Sequence, residues 1–379
     1  MSLSTEKALL AASPHDLLDI TKKTLERHRL TIEDGMTLFA TPHQDFLQRL
    51  ADFDRRRRVG DTVFYASTLH VYPTNLCELC CPMCSFFAKP GQEKAWILTP
   101  LMIEEKVKTA LTFGISEVHI VSGVWKECSL DYYQDVFLRI RRLSPTLHIK
   151  ALTPVEYEYL ALTSGLSIRE VLQKMISWGL SSLPGGGAEI LDDTIRQKIC
   201  PRKTSSQHYL DTHKTAHMLG LRSNVTMLFG HIEEESHILE HLDKIRTLQD
   251  VTKGFHTFVP LKYHSENNAL GKIFPLLKPK DCRQIYAISR LMLDNVHNIK
   301  VLWNYMGLSK AQDLLSWGGN DVGSVTHGEQ VAIMAGGVTV TMTDTVLEDV
   351  IRSAGRTPKK VHSGGRLLSS SAAIRTAGM

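Results

Sequence analysis

Four of the seven cysteines in this 379-residue chain, Cys77, Cys80, Cys81 and Cys84, fall within eight positions of the stretch "YPTNLCELCCPMCSFF", Tyr72 to Phe87. Thiols this dense call for oxidation or a metal. No apolar signal segment opens the sequence, so a cytoplasmic location is expected, and disulfides rarely persist there. Metal is the better reading. Two spacings are available: Cys77, Cys80 and Cys84, or Cys77, Cys81 and Cys84, the second being C-x3-C-x2-C. Structural zinc takes four ligands, usually as two separated pairs, and no second C-x2-C or H-x3-H set follows at zinc-finger distance. Three thiolates can instead hold a [4Fe-4S] cluster whose fourth iron stays open to a small molecule.

Other chemistry stands at expected strand ends. Lys150, in "HIKALTPVE", offers a point charge for a carboxylate, an ordinary surface lysine being the alternative. Thr153 is placed to cap the helix that follows. In "SLPGGGAEIL", Gly185, Gly186 and Gly187 let backbone amides approach a ligand, and Glu189 can bond ribose hydroxyls; the alternative is a flexible loop. His213 and His217 lie four apart in "DTHKTAH", but Lys214 stands where a metalloprotease H-E-x-x-H carries its glutamate, so both are expected at the surface. Cys128, Cys200 and Cys282 are scattered and expected to pack. The run Arg55 to Arg58 ends a helical stretch and is expected to be a solvated face, with contact to an acidic partner as the alternative.

The elements that must position these groups follow from composition and periodicity. With 43% apolar and 22% charged residues and a net charge of +4 spread along the chain, composition gives no case for nucleic acid or a membrane surface. Residues 1–62 have helical spacing and are expected to form an N-terminal helical cap. Over 63–325, short apolar strands alternate with amphipathic helices, the strands falling at Leu69–Pro73, Glu117–Val121, Leu147–Ala151, Ser181–Pro184, Arg222–Phe229, Phe255–Leu261 and Ile299–Trp303. That alternation predicts an α/β fold, a TIM-like (β/α) barrel with a parallel sheet, whose catalytic groups sit where strands end. Residues 326–362 form a C-terminal extension, and 363–379 are small and polar enough for a mobile tail.

The triplet after "TLHVYPTNLC" resembles the signature of radical S-adenosylmethionine (SAM) enzymes. The resemblance implies that Cys77, Cys81 and Cys84 bind iron, that the methionine nitrogen and carboxylate of SAM take the open iron, and that Cys80 is a bystander. Met83 stands where that superfamily usually has an aromatic residue. Ser122 and Gly123 stand where it commonly has a Gly-Gly pair whose backbone meets the methionine amino group. "TMLFGHIE", Thr226 to Glu233, resembles its adenine-binding G-x-I-x-G-x-x-E motif. Leu228 then inherits the adenine-packing position, while Gly230 and Glu233 match; His231 is a site hydrogen-bonder or a loop residue.

A narrower resemblance spans most of the chain. "KALTPVE", "SGLSIREVL", "SLPGGGAEI", "RQKICPRK", "AHMLGLRSNVTMLFGHIE", "LQDVTKGFHTFVPLKYHSENNALG" and "ISRLMLDNVHNIK" are similar to the aminofutalosine synthase family of the menaquinone pathway. It weakens at "VSGVWKEC", where Trp125 replaces the histidine of a Gly-Gly-Leu-His-Pro run. The resemblance implies addition of a 5′-deoxyadenosyl radical to 3-[(1-carboxyvinyl)oxy]benzoate, with decarboxylation to 6-amino-6-deoxyfutalosine. It also implies an electron donor such as flavodoxin or ferredoxin. A dicarboxylate substrate asks for cations, for which Arg222, Lys150, Arg290 and His264 are the candidates. The sister enzyme that cyclises dehypoxanthine futalosine, and a cluster protein that only transfers electrons, are the alternatives.

Overall fold

Interstrand backbone hydrogen bonds join the strands into one parallel sheet, and alternation sends successive side chains to opposite faces. The computed structural model describes residues 3–275, 280–338 and 342–362; the tail expected over 363–379 lies outside them. The strands are β1 (Thr62–Val71), β2 (Glu117–Ile120), β3 (His148–Ala151), β4 (Ser182–Leu183), β5 (Arg222–Phe229), β6 (Phe255–Lys262), β7 (Asn298–Ile299), β8 (Asp321–His327) and β9 (Thr357–Lys360). Their order is β7-β6-β5-β4-β3-β2-β1-β8, with β9 pairing the first half of β1. A parallel bridge between Lys300 and Asp321 joins the two ends of that path, so the sheet curls round to meet itself. This is a parallel α/β barrel of the TIM-like kind.

Apolar strand residues face outward. Leu69, Val71, Val118, Ile120, Ile149 and Ala151 pack with Ile103, Val107, Phe137, Ile140 and Leu172 of the covering helices. Those helices start where the sequence supplies caps: Thr99 before Pro100, and reciprocal capping boxes at Thr153/Glu156 and Ser167/Glu170. Among the described residues no helix is long and apolar enough to cross a membrane.

The N-terminal segment forms α1 (Leu3–Ala11), α2 (Leu18–Glu26), α3 (Ile32–Ala40) and α4 (Gln44–Val59). It covers a flank. Helices α3 and α4 pack on the outer helices Glu235–Thr252 and Cys282–Met292, and Leu38, Phe46, Leu47 and Leu50 merge into the core of the β5–β8 half. Of the arginine run, only Arg56 stands on the solvated face expected of it. Arg55 is fully buried against Asp52, Arg57 donates to Asp54 and to Thr24 O, and Arg58 donates to Leu293 O at 2.6 Å. The run therefore ties α4 to α2 and to the barrel. His213 is likewise buried, ringed by Tyr209, His217 and Phe255, and His217 bonds Thr252 and Ser223. Neither is the surface residue expected from the sequence.

Candidate active site

The loop after β1 is held open by its own polar residues. Asn75 donates to Lys94 O at 2.8 Å and accepts from Trp96 N at 2.9 Å, while Thr74 Oγ1 donates to Trp96 O. Beyond this clasp, Cys77, Cys81 and Cys84 line a cavity of about 260 Å3. Cys80 does not line it. Its backbone turns into the left-handed region, φ 47°, and its Sγ donates to Cys77 O at 3.3 Å. Burial pushes the Cys81 thiol up to about 12 and that of Cys84 upward as well. Buried thiols of this kind stay neutral unless a metal draws off their protons. With Cys77, they put three thiols on one wall, which fits a cluster held by three cysteines.

The rest of that wall comes from strand ends far apart in sequence. Ser122, Gly123, Gly186, Gly187, Glu189 and Leu228 all line it, as does Met83. A side chain at Gly123 has no room: a Cβ there would lie 2.1 Å from Leu76 O, next to the first cysteine. Gly187 has φ 92°, which favours glycine. Glu156 accepts from Ser122 N at 2.8 Å and from Thr153 N and Oγ1 at 2.8 and 2.7 Å, joining the β2 and β3 loops. Burial pushes its carboxyl up to about 7 against those bonds. Glu189 holds two positions together, its carbonyl accepting from Leu228 N at 2.7 Å and its carboxylate pairing with half-buried Lys203 at 2.5 Å. Gly230 stands apart from the cavity. Its N–H donates to Glu233 at 2.6 Å, and His231 is folded into the same turn, bonded to Leu228 O and Ile232 N.

Below this cavity lies a second, of about 240 Å3, inside the barrel. The two share Val121, Thr153, Gly186, Leu261, Tyr305 and Val331. Its lining includes Gly185, His70, His119, Glu117, Lys150, Lys300 and Glu329. Lys150 Nζ lies 2.8 Å from Glu117, Lys300 lies 3.4 Å from Asp321, and His70 lies 3.6 Å from Glu329. Of the four candidate substrate cations, Lys150 faces this deep cavity and His264 the upper one. Arg222 and Arg290 face neither. Arg222 is exposed as the first residue of β5, at the opposite end from the strand's C-terminal loop. Arg290 is fully buried and spends its guanidinium on Gly318 O, His297 O and Asn320 Oδ1, all in loops that precede strands.

His70, His119, Lys300 and Glu329 went unnoticed in the sequence. A signal was present: "TLHV", "EVHI" and "HIKA" each put an ionisable residue in the third place of an alternating strand. The apolar places face the helices, so the polar ones face the barrel interior.

This arrangement agrees with what the chain resembles. Residues 71–245 match the radical SAM superfamily, and residues 252–364 match the CofH/MqnC C-terminal region. An aminodeoxyfutalosine synthase of Thermus thermophilus is 36% identical over 347 residues, which is 90% of this chain and 93% of that one. The chain belongs to the radical SAM superfamily. It is a radical SAM enzyme, and its cofactors are a [4Fe-4S] cluster and SAM. A 5-amino-6-(D-ribitylamino)uracil–L-tyrosine 4-hydroxyphenyl transferase of Methanospirillum hungatei is 35% identical over 327 residues, 85% of this chain and 89% of that one. Among solved structures, methylornithine synthase superposes with a TM-score of 0.71 at 18% identity, covering 89% of this chain and 96% of that one, a likeness of fold.

The glycine wall yields a test of this radical SAM site. A Cβ at Gly186 would meet Thr153 Cγ2 at 3.0 Å, on the wall shared by both cavities. Gly186→Val is expected to weaken SAM binding about tenfold, equivalent to ~1.4 kcal/mol, while iron content stays at the wild-type level. Equilibrium dialysis of SAM against the reconstituted protein decides it; unchanged affinity would move this loop out of the SAM site.

Proposed function

We propose that the chain is an aminofutalosine synthase of menaquinone biosynthesis, working in the cytoplasm with electrons from flavodoxin or ferredoxin. It joins the 5′-deoxyadenosyl group of SAM to 3-[(1-carboxyvinyl)oxy]benzoate, with decarboxylation, to give 6-amino-6-deoxyfutalosine. The observation that carries this reading is the pair of adjoining cavities, one walled by three cysteines and the glycine loop, the other a polar chamber with buried lysines. The span of the Thermus thermophilus synthase match, 93% of that chain, supports it.

Cluster and SAM together supply a 5′-deoxyadenosyl radical. The chain's own residues bind, orient and exclude water. Cys77, Cys81 and Cys84 would hold the cluster; Ser122, Gly123, Gly186, Gly187, Glu189 and Leu228 would frame SAM. Val121, Leu261 and Val331 are the apolar part of the shared wall, where a radical must meet substrate without a competing donor. Lys150 and Lys300 supply positive charge below it. Trp125, in place of the family histidine, lines neither cavity, so the exchange leaves these walls intact.

A second reading has its own support. Each lysine of the deep cavity stands beside a carboxylate, Lys150 by Glu117 and Lys300 by Asp321, an alternation of sign that suits a zwitterionic amino acid, and the Methanospirillum hungatei relative carries L-tyrosine in its name. Anaerobic incubation of the reconstituted protein with SAM and a reductant separates the possibilities by product mass. Three tubes are needed: 3-[(1-carboxyvinyl)oxy]benzoate, dehypoxanthine futalosine, and L-tyrosine with 5-amino-6-(D-ribitylamino)uracil. The synthase gives an adenosyl adduct, methionine and carbon dioxide or bicarbonate in the first tube, with little free 5′-deoxyadenosine. Product confined to the second or third tube overturns that assignment in favour of the cyclase or the hydroxyphenyl transferase.

A further inference from the structure

Three neighbouring strands deliver one row of ionisable side chains into the deep cavity. His70 of β1 is in register with His119 of β2, which is in register with Lys150 of β3. The two imidazole centroids are 5.1 Å apart. Their partners are incomplete: among the described residues, His119 Nε2 and His70 Nδ1 are buried with no hydrogen bond. His70 Nδ1 lies 3.6 Å from Glu329 Oε2, beyond hydrogen-bond distance, while Glu329 Oε1 accepts from Tyr72 OH and Ala332 N, each at 2.9 Å. Among the described residues, no carboxylate pairs with His119. A buried ring nitrogen without a partner is costly, and such a cost is offset when a ligand supplies the missing bond.

Resting on the synthase reading above, we infer that His119, beside Lys150, holds the ring carboxylate of the substrate, with His70 positioning the imidazole of His119. The orientation follows from the shared wall. The reacting enol ether must lie against the upper cavity, at the level of Val121, so the benzoate end points down the barrel. His119 lies two residues before Val121 on the same chain, roughly 7 Å deeper at the rise of a strand, a length that a meta-substituted benzoate spans. Burial holds both histidines below their ordinary value, so each is neutral before substrate arrives and carries one N–H. Lys150 Nζ stays on Glu117 and contributes as a neighbouring charge. A carboxylate at His119 therefore gains a donor that no protein group uses, which a neutral amide cannot exploit equally.

The test is a chemical cycle on the reconstituted full-length enzyme. The substrate and its analogue with the ring carboxylate changed to a carboxamide are compared in wild type, His119→Phe and His119→Asn. His119→Phe keeps a ring and removes the donor; His119→Asn keeps an N–H. Wild type is expected to favour the carboxylate in KM by about thirtyfold, as one charge-assisted bond in a buried site implies. His119→Phe is expected to lose that preference and His119→Asn to retain most of it, while the spectral response of the cluster to SAM is unchanged in both. Full preference in His119→Phe overturns the inference, as does its loss in both variants alike. Failure of the synthase reading is seen elsewhere, as no adenosyl adduct from either compound in wild type, and it takes this inference with it.

Discussion

Cys81→Ala should leave the chain without a stable cluster and with no SAM cleavage above background, whereas Cys80→Ala should keep both. The two cysteines are adjacent, so the sequence alone permits either spacing. Geometry separates them. Cys81 is 3% exposed and lines the cavity with Cys77 and Cys84; Cys80 turns away and gives its Sγ to a backbone carbonyl of its own loop. Loss of iron in Cys81→Ala is not expected to reflect unfolding. A neutral buried thiol packs as a small apolar group, and truncating it to alanine costs on the order of 1 kcal/mol. Thermal unfolding of the iron-free variants should therefore match wild type closely. Iron and sulfide content after anaerobic reconstitution, and the change in electron paramagnetic resonance on adding SAM, are the measurements. Retention of iron by Cys81→Ala with its loss from Cys80→Ala would reassign the ligands to the other spacing.

What could be read without coordinates was what is contiguous. The cysteine loop and the glycine loop each concentrate one chemistry in under a dozen residues, and their meeting on one wall follows from strand ends sharing one face of a barrel. Residues that act one per strand are harder. His70, His119 and Lys150 are 49 and 31 positions apart in sequence, and only the pairing registers align them. The arginine errors were of another kind. Arg222 begins its strand, so strand polarity alone removes it from the catalytic face, whereas the burial of Arg290 depends on loops that pack on its helix. Strands β8 and β9 escaped notice for local reasons. "DVGSVTH" is interrupted by glycine, and "TPKK" carries a proline and two lysines on a short strand beside β1.

Lys150→Met should destabilise the fold by about 3–5 kcal/mol, because it strands a charge inside the barrel. Glu117 is fully buried and accepts from Lys150 Nζ and Thr68 Oγ1, each at 2.8 Å. Burial alone would raise its carboxyl; Lys150, then His148 and Lys300, more than offset this and hold it well below 4.5. A carboxylate depressed in the fold contributes stability that is present above its unfolded value and lost as pH falls through the folded one. With methionine at 150 the sign reverses, since the uncompensated carboxyl is pushed up and the fold gains by keeping its proton. Relative to wild type, Lys150→Met should thus recover stability as pH falls from 8 to 5. Glu117→Gln added to Lys150→Met should restore stability to within ~1 kcal/mol at pH 8, because replacing both charges removes the penalty. Urea unfolding of the three proteins at each pH decides it; a double variant no more stable than Lys150→Met would mean the pair is not what holds this layer. The double variant also divides the two roles of Lys150. A protein that folds as well as wild type yet binds the carboxylate substrate poorly has lost the Lys150–Glu117 ion pair from its cavity wall without losing the fold.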